Sequence, residues 1–175
     1  ALDAIKQLVG LQAQQARPPF IGLWSRVEGF RREDLTELLT SRKAVRATLM
    51  RATLHLMSSD DYLAFRPVLQ PMLSNGMKSV LQERANLPLD EIVASAREIF
   101  TRQACTFTEL RGCLSKAFPA YDERAMGYAV RTSLPLVSTP DSSIWAFSGD
   151  PLFTTAECWL GSGLSDSADA RSLVL

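Results

Sequence analysis

The order of hydrophobic periodicities constrains this chain more than any other feature. Three short helical patterns precede two strand-like runs, and the same order then comes again. Leu2, Ile5, Leu8 and Val9 recur at helical spacing, and Gly10 weakens the end of that helix. Pro18-Pro19 opens a second helix with Phe20, Leu23, Trp24 and Val27 on one face, and Gly29 closes it. A third has Asp34 in its first turn and Leu35, Leu38 and Leu39 inward, stopping near Ser41-Arg42-Lys43. Val45–Met50 and Thr53–Met57 alternate in part and carry β-branched residues, which predicts a hairpin. Ser58-Ser59-Asp60-Asp61 then caps a long helix with an apolar stripe from Tyr62 to Leu81, which Pro67 and Pro71 should bend or divide.

Beyond Leu87-Pro88-Leu89 the series restarts. Helices are expected over Asp90–Arg102, after Thr106-Phe107-Thr108, and from Tyr121-Asp122-Glu123. Strands are expected at Leu134–Ser138, Ser143–Phe147 and Leu152–Trp159. The expected units are 1–86 (with the long connecting helix), 87–161, and a linker with the start of a third unit over 162–175. Three short helices and a hairpin make the winged-helix order. The expected class is therefore α+β, mainly helical, with tandem winged-helix motifs, each a helix-turn-helix plus a β-hairpin wing. Such modules bind nucleic acid, and they also serve as protein-interaction scaffolds.

Basic and acidic residues cancel at nineteen each, but unevenly. Residues 1–57 carry nine Lys or Arg against five Asp or Glu, while residues 141–175 carry one against five. The first third thus holds the candidate polyanion-binding surface: Arg17, Arg26, Arg31, Arg32, Arg42, Lys43, Arg46 and Arg51. The other reading is a solvated face with scattered charges. The three cysteines make no CxxC pair and are expected as small core residues in a reduced, cytoplasmic setting. No apolar run reaches the ~18 residues of a membrane span, so no membrane partner is expected. A Gly-rich phosphate loop, a zinc pattern and Ser/His/Asp spacing are all lacking, so no cofactor and no metal are expected.

Three stretches in this order carry a resemblance: Val9-Gly10-Leu11-Gln12-Ala13-Gln14 with Trp24; Met50–Met57 with Ser59-Asp60-Asp61-Tyr62; and Glu157-Cys158-Trp159-Leu160-Gly161. They resemble the bacterial winged-helix DNA-binding family that includes the DNA glycosylases unhooking interstrand crosslinks and removing N7-alkylated purines. The resemblance implies three tandem winged helices on double-stranded DNA, the third starting near Arg171, and a β-rich C-terminal domain further along the same natural chain. It also implies a catalytic Gln-x-Gln pair, which falls on Gln12 and Gln14; the other reading of these residues is a solvated helix end in a run of Gln12, Gln14 and Gln15. The alternative is a non-catalytic DNA-binding or regulatory protein on the same scaffold.

An N7-alkylated guanine is cationic and leaves as a neutral base, so its hydrolysis needs a placed water more than an acid. Two carboxamides can accept from and donate to that water. Residues i and i+2 lie about 200° apart on an α-helix, so the pair requires the helix to have ended by Gln12. Arg51, Arg46 and Arg17 are expected phosphate contacts, the other reading of Arg51 being a pair with Asp60 or Asp61. His55, the single histidine, either faces a phosphate, assists the site, or packs within the hairpin. Trp24, Trp145 and Trp159 are expected in the core, with Trp24 close enough to the Gln pair to line a base cleft. Arg124 and Arg131 are either DNA contacts or solvated helix charges.

Overall fold

The computed structural model describes residues 1–81 and 86–164. The linker and restart expected over 162–175 lie mostly outside the described residues, and the boundary expected at 86/87 lies beside the undescribed ones. The first half comprises α1 (Leu2–Gln7), β1 (Leu11–Gln12), α2 (Pro18–Trp24), α3 (Arg32–Thr40), β2 (Ala44–Thr48), β3 (Leu54–Ser58) and α4 (Ser59–Leu81). The second comprises α5 (Leu89–Arg102), α6 (Phe107–Ala117), α7 (Glu123–Ser133), β4 (Leu136–Ser138), β5 (Phe153–Thr155) and α8 (Ala156–Leu160).

The helix starts follow the capping chemistry of the sequence. Thr106 Oγ1 accepts from Glu109 N (3.1 Å), while the Glu109 carboxylate accepts from Thr106 N (2.8 Å). Asp122 accepts from Ala125 N at 2.7 Å to open α7. Helix α4 runs through Pro67 and Pro71 as one element rather than two. The β2–β3 hairpin turns through Arg51 and Ala52, both in the left-handed region at φ 56° and 57°.

Among the described residues, all five strands lie in one antiparallel sheet of order β1-β3-β2-β4-β5. Strand β4 pairs with β2 through Arg46↔Ser138 and Ala47↔Val137, so the two halves share one sheet. Register assigns the faces. Arg46 is opposite Leu56 and Ser138, Leu56 is opposite Leu11, and Ser138 is opposite Phe153, so these residues share a face. That face carries two apolar cores. One packs Ile5, Phe20, Leu23, Leu35 and Leu39 of α1–α3 against Ala44 and Leu56. The other packs Ile92, Phe100, Leu110, Leu114, Met126 and Val130 of α5–α7 against Leu136 and Phe153. On the opposite face Val45, Ala47, Met57 and Val137 meet Tyr62 of α4 and Ala156 of α8.

Arg66 of α4 ties the halves together. It is 1 % exposed, and its Nη2 donates to the carbonyls of Thr132 (3.1 Å) and Leu134 (3.4 Å) at the end of α7. A buried cation there completes carbonyls that have no helical partner.

Three expectations are corrected. Residues 143–147 form no strand. Asp141 accepts from the amides of Ser143 (2.7 Å) and Ser148 (2.8 Å), which closes a loop instead. The strand-like stretch 152–159 divides into β5 and α8, because Thr155 caps the helix by accepting from Cys158 N. Only Cys105 is buried, whereas Cys113 and Cys158 are exposed on helix faces that point away from the cores.

Candidate active site

Helix α1 stops at Gln7, and the chain reverses through Val9 (φ 55°) and Gly10 (φ 125°). A Cβ at Gly10 would meet Met57 Cε at 3.3 Å and the Leu56 carbonyl at 3.4 Å, so glycine allows both the turn and the close approach. Leu11 and Gln12 then pair with Leu56 and His55, and Ala13 N donates to the Leu54 carbonyl at 2.7 Å. The helix has therefore ended by Gln12, as the Gln pair requires. Gln12 is exposed, Ala13 fully buried and Gln14 exposed, which is the two-residue alternation of extended chain. After Ala13 the chain leaves the sheet edge. The Gln14 side chain takes over, its Oε1 accepting from Leu54 N at 3.2 Å. That bond occupies the amide oxygen and leaves the NH2 group as donor, while Gln12 supplies a complete carboxamide.

Arg46, expected as a phosphate contact, lies beneath this segment at 4 % exposure. Its Nε donates to the Ala13 carbonyl (2.8 Å) and its Nη2 to the Gln14 carbonyl (3.0 Å). Its guanidinium lies 4.8 Å from the centre of the Phe147 ring. Burial, reinforced by the nearby charge of Arg131, lowers its pKa to about 10, so it stays cationic at neutral pH. Its hydrogen bonds go to the backbone of the Gln pair rather than outward.

His55 is 4 % exposed and directly opposite Gln12. Its Nδ1 lies 3.0 Å from the Thr53 carbonyl, which can only accept, so Nδ1 carries the proton and Nε2 is left as an acceptor. Burial, with Arg51 adding to it, pushes the imidazole pKa below its ordinary value. Arg51 is exposed at the hairpin tip. Arg17 is exposed at the start of α2, 5.6 Å over the Trp145 ring, and Trp145 meets Phe20 edge-on at 5.3 Å. The structure thus brings Gln12, Gln14, His55 and Arg46 together and leaves Arg17 and Arg51 exposed.

Trp24 is not in the core. It is 68 % exposed and, with Ile21, Phe30 and Trp145, lines an apolar hollow next to α2. Trp145 and Trp159 are half-buried. The basic residues of the first third do not form one stripe. Arg31 and Arg32 pair with Asp34 and Glu33, and Arg42 stacks on Trp159. Arg111, Phe147 and Asp150 have structural parts that sequence reasoning missed. Phe147 falls in an expected strand, and the bond from Arg111 to the Phe107 carbonyl one turn back is one that any helical arginine can make. Among the described residues no helix is long and apolar enough to cross a membrane.

A family model described as "DNA glycosylase AlkZ-like" matches residues 5–175. Among solved structures, Streptomyces sahachiroi DNA glycosylase AlkZ is similar, with a TM-score of 0.75 at 20 % sequence identity, covering 94 % of this chain and 46 % of that one. The chain therefore spans a little under half the length of that protein, and the likeness is one of fold. No curated protein matches.

Proposed function

The chain belongs to the AlkZ-like DNA glycosylase family, and from that premise we propose that it hydrolyses the N-glycosidic bond of N7-alkylated purines or interstrand crosslinks in double-stranded DNA. In this reading α1–α3 with β2–β3, and α5–α7 with β4–β5, are two winged helices built on one sheet. The carrying observation is the alternation of exposed Gln12, buried Ala13 and exposed Gln14. Gln14 gives N–H donors, Gln12 gives the acceptor, and a water between them is held toward the sugar C1′. Neither amide is a strong base, so the rate gain comes from positioning and electrostatics as the cationic base departs. That chemistry favours charged lesions and leaves normal bases in place.

Arg46 fixes the backbone that presents both amides. His55 Nε2 is a further acceptor beside Gln12, and Arg51 and Arg17 meet phosphates on either side. The test is base release from duplex containing N7-methylguanine under single-turnover conditions. The wild-type chain should release N7-methylguanine, and Gln12→Ala should lower the rate about 100-fold with duplex affinity kept. Release by Gln12→Ala at the wild-type rate would overturn the assignment. DNA binding without any release by wild type would leave the regulatory reading.

A further inference from the structure

Helices α6 and α7 border a second basic feature, lined by neither Gln12 nor Gln14, although its Arg131 is close enough to act on Arg46. Arg111, Arg124, Gly127, Tyr128, Arg131 and Asp150, together with Phe107, line a concavity of about 340 Å³. Two of its three guanidiniums are held in place. Arg131 stacks 4.2 Å from the Phe107 ring centre and 5.9 Å from that of Phe153. Arg111 Nε donates to the Phe107 carbonyl at 3.2 Å, which leaves its two terminal nitrogens without a hydrogen-bond partner among the described residues. Gly127 makes room for this. A Cβ there would sit 3.3 Å from both Cγ and Cδ of Arg111. Among the described residues none of the three arginines is in a salt bridge, so one carboxylate faces three cations.

We propose that this hollow is a built phosphodiester site, in which Arg111, Arg124 and Arg131 grip the DNA backbone from the second helical unit. Forked, pre-oriented guanidiniums suit phosphate oxygens, and a partly desolvated cluster of like charges is relieved by an anion. Burial and Arg111 both lower the pKa of Arg131, which accords with cations crowded at this spot. The site rests on the DNA-binding reading above and extends it to a surface on α6 and α7. Its ligand is the backbone, so it adds affinity without sequence preference.

The experiment uses the 175-residue chain, its Arg111→Gln/Arg124→Gln double variant, and Arg102→Gln, an exposed α5 arginine outside the hollow, as control. Arg131 is left intact because its ring contacts support the core. Circular dichroism establishes that each variant is folded. Inorganic pyrophosphate should raise the Tm of wild type and of Arg102→Gln, and leave the double variant unmoved. For unmodified duplex, the slope of log K against log salt should fall in the double variant by about 0.9 for every phosphate it no longer neutralises. Gly127→Ala, which displaces Arg111 without removing charge, should also flatten the slope. An unchanged slope in the double variant, whatever pyrophosphate does, overturns the DNA contact. Base release is read separately. No release by wild type, with the slope effect present in the double variant, removes the glycosylase reading and keeps this site; release by wild type with an unchanged slope in the double variant does the reverse.

Discussion

Arg46 reaches across β3 to hold Gln14 by its main chain, donating to the Gln14 carbonyl at 3.0 Å from a strand that is not its neighbour. The same side chain holds the Ala13 carbonyl. Lysine cannot reproduce that two-point grip. Arg46→Lys is therefore expected to slow single-turnover base release while leaving the salt slope of duplex binding unchanged. Arg46→Ala should cost about 2–4 kcal/mol of stability by urea denaturation, because the buried Ala13 carbonyl and the partly buried Gln14 carbonyl lose their donor. A slope that falls by about 0.9 in Arg46→Gln, which removes the charge, would show a phosphate ligand instead.

The two glutamines should differ in stability although they share a task. Gln12 is exposed in β1, and Gln12→Ala should stay within about 0.5 kcal/mol of wild type. Gln14→Ala removes the acceptor for Leu54 N and should cost about 1 kcal/mol. Equal urea midpoints for the two variants would contradict the 3.2 Å hydrogen bond.

His55 should make the fold sensitive to mild acid. Its pKa in the folded chain lies below the ordinary 6.5, because burial opposes its charge. The unfolded chain therefore binds more protons between the two values, and stability rises with pH there. Stability should be full above about pH 6.5 and decline as the pH falls from there toward the folded value. Urea titrations between pH 8 and pH 5 measure this, and His55→Gln should flatten the decline.

Arg66→Ala should be more damaging than most surface changes. It strips the Thr132 and Leu134 carbonyls of a buried charged donor, so a loss of about 2–4 kcal/mol is expected. The matching observation is faster hydrogen exchange through the last turn of α7. Exchange rates unchanged in that turn would mean that α7 closes without α4.

The helices and the first hairpin are legible in the sequence because their caps and periodicities are local. Thr106 with Glu109, Asp122 with Ala125, and Pro18 at the head of α2 act within one turn. The end of α1 before Gln12 is legible too, since Gly10 weakens the helix there. Arg46 eludes sequence reasoning for a physical reason. Strand β2 is covered on both faces, so alternation does not separate a solvent side, and a charge inside it resembles a surface charge. Trp24 misleads in the opposite sense, as its ring lies on the outer side of α2 beside the loop that carries Trp145. That loop replaces a strand through Asp141 hydrogen bonds made across several residues, which no short pattern announces.

A repeated order of elements invites dividing the gene in two, but the continuous sheet forbids it. Severed between α4 and α5, the amino-terminal piece would bare the β2 edge and the carboxy-terminal piece the β4 edge. Such naked main-chain ladders recruit strangers, so each piece made alone is destined for inclusion bodies, and mixing the two during refolding should recover soluble material.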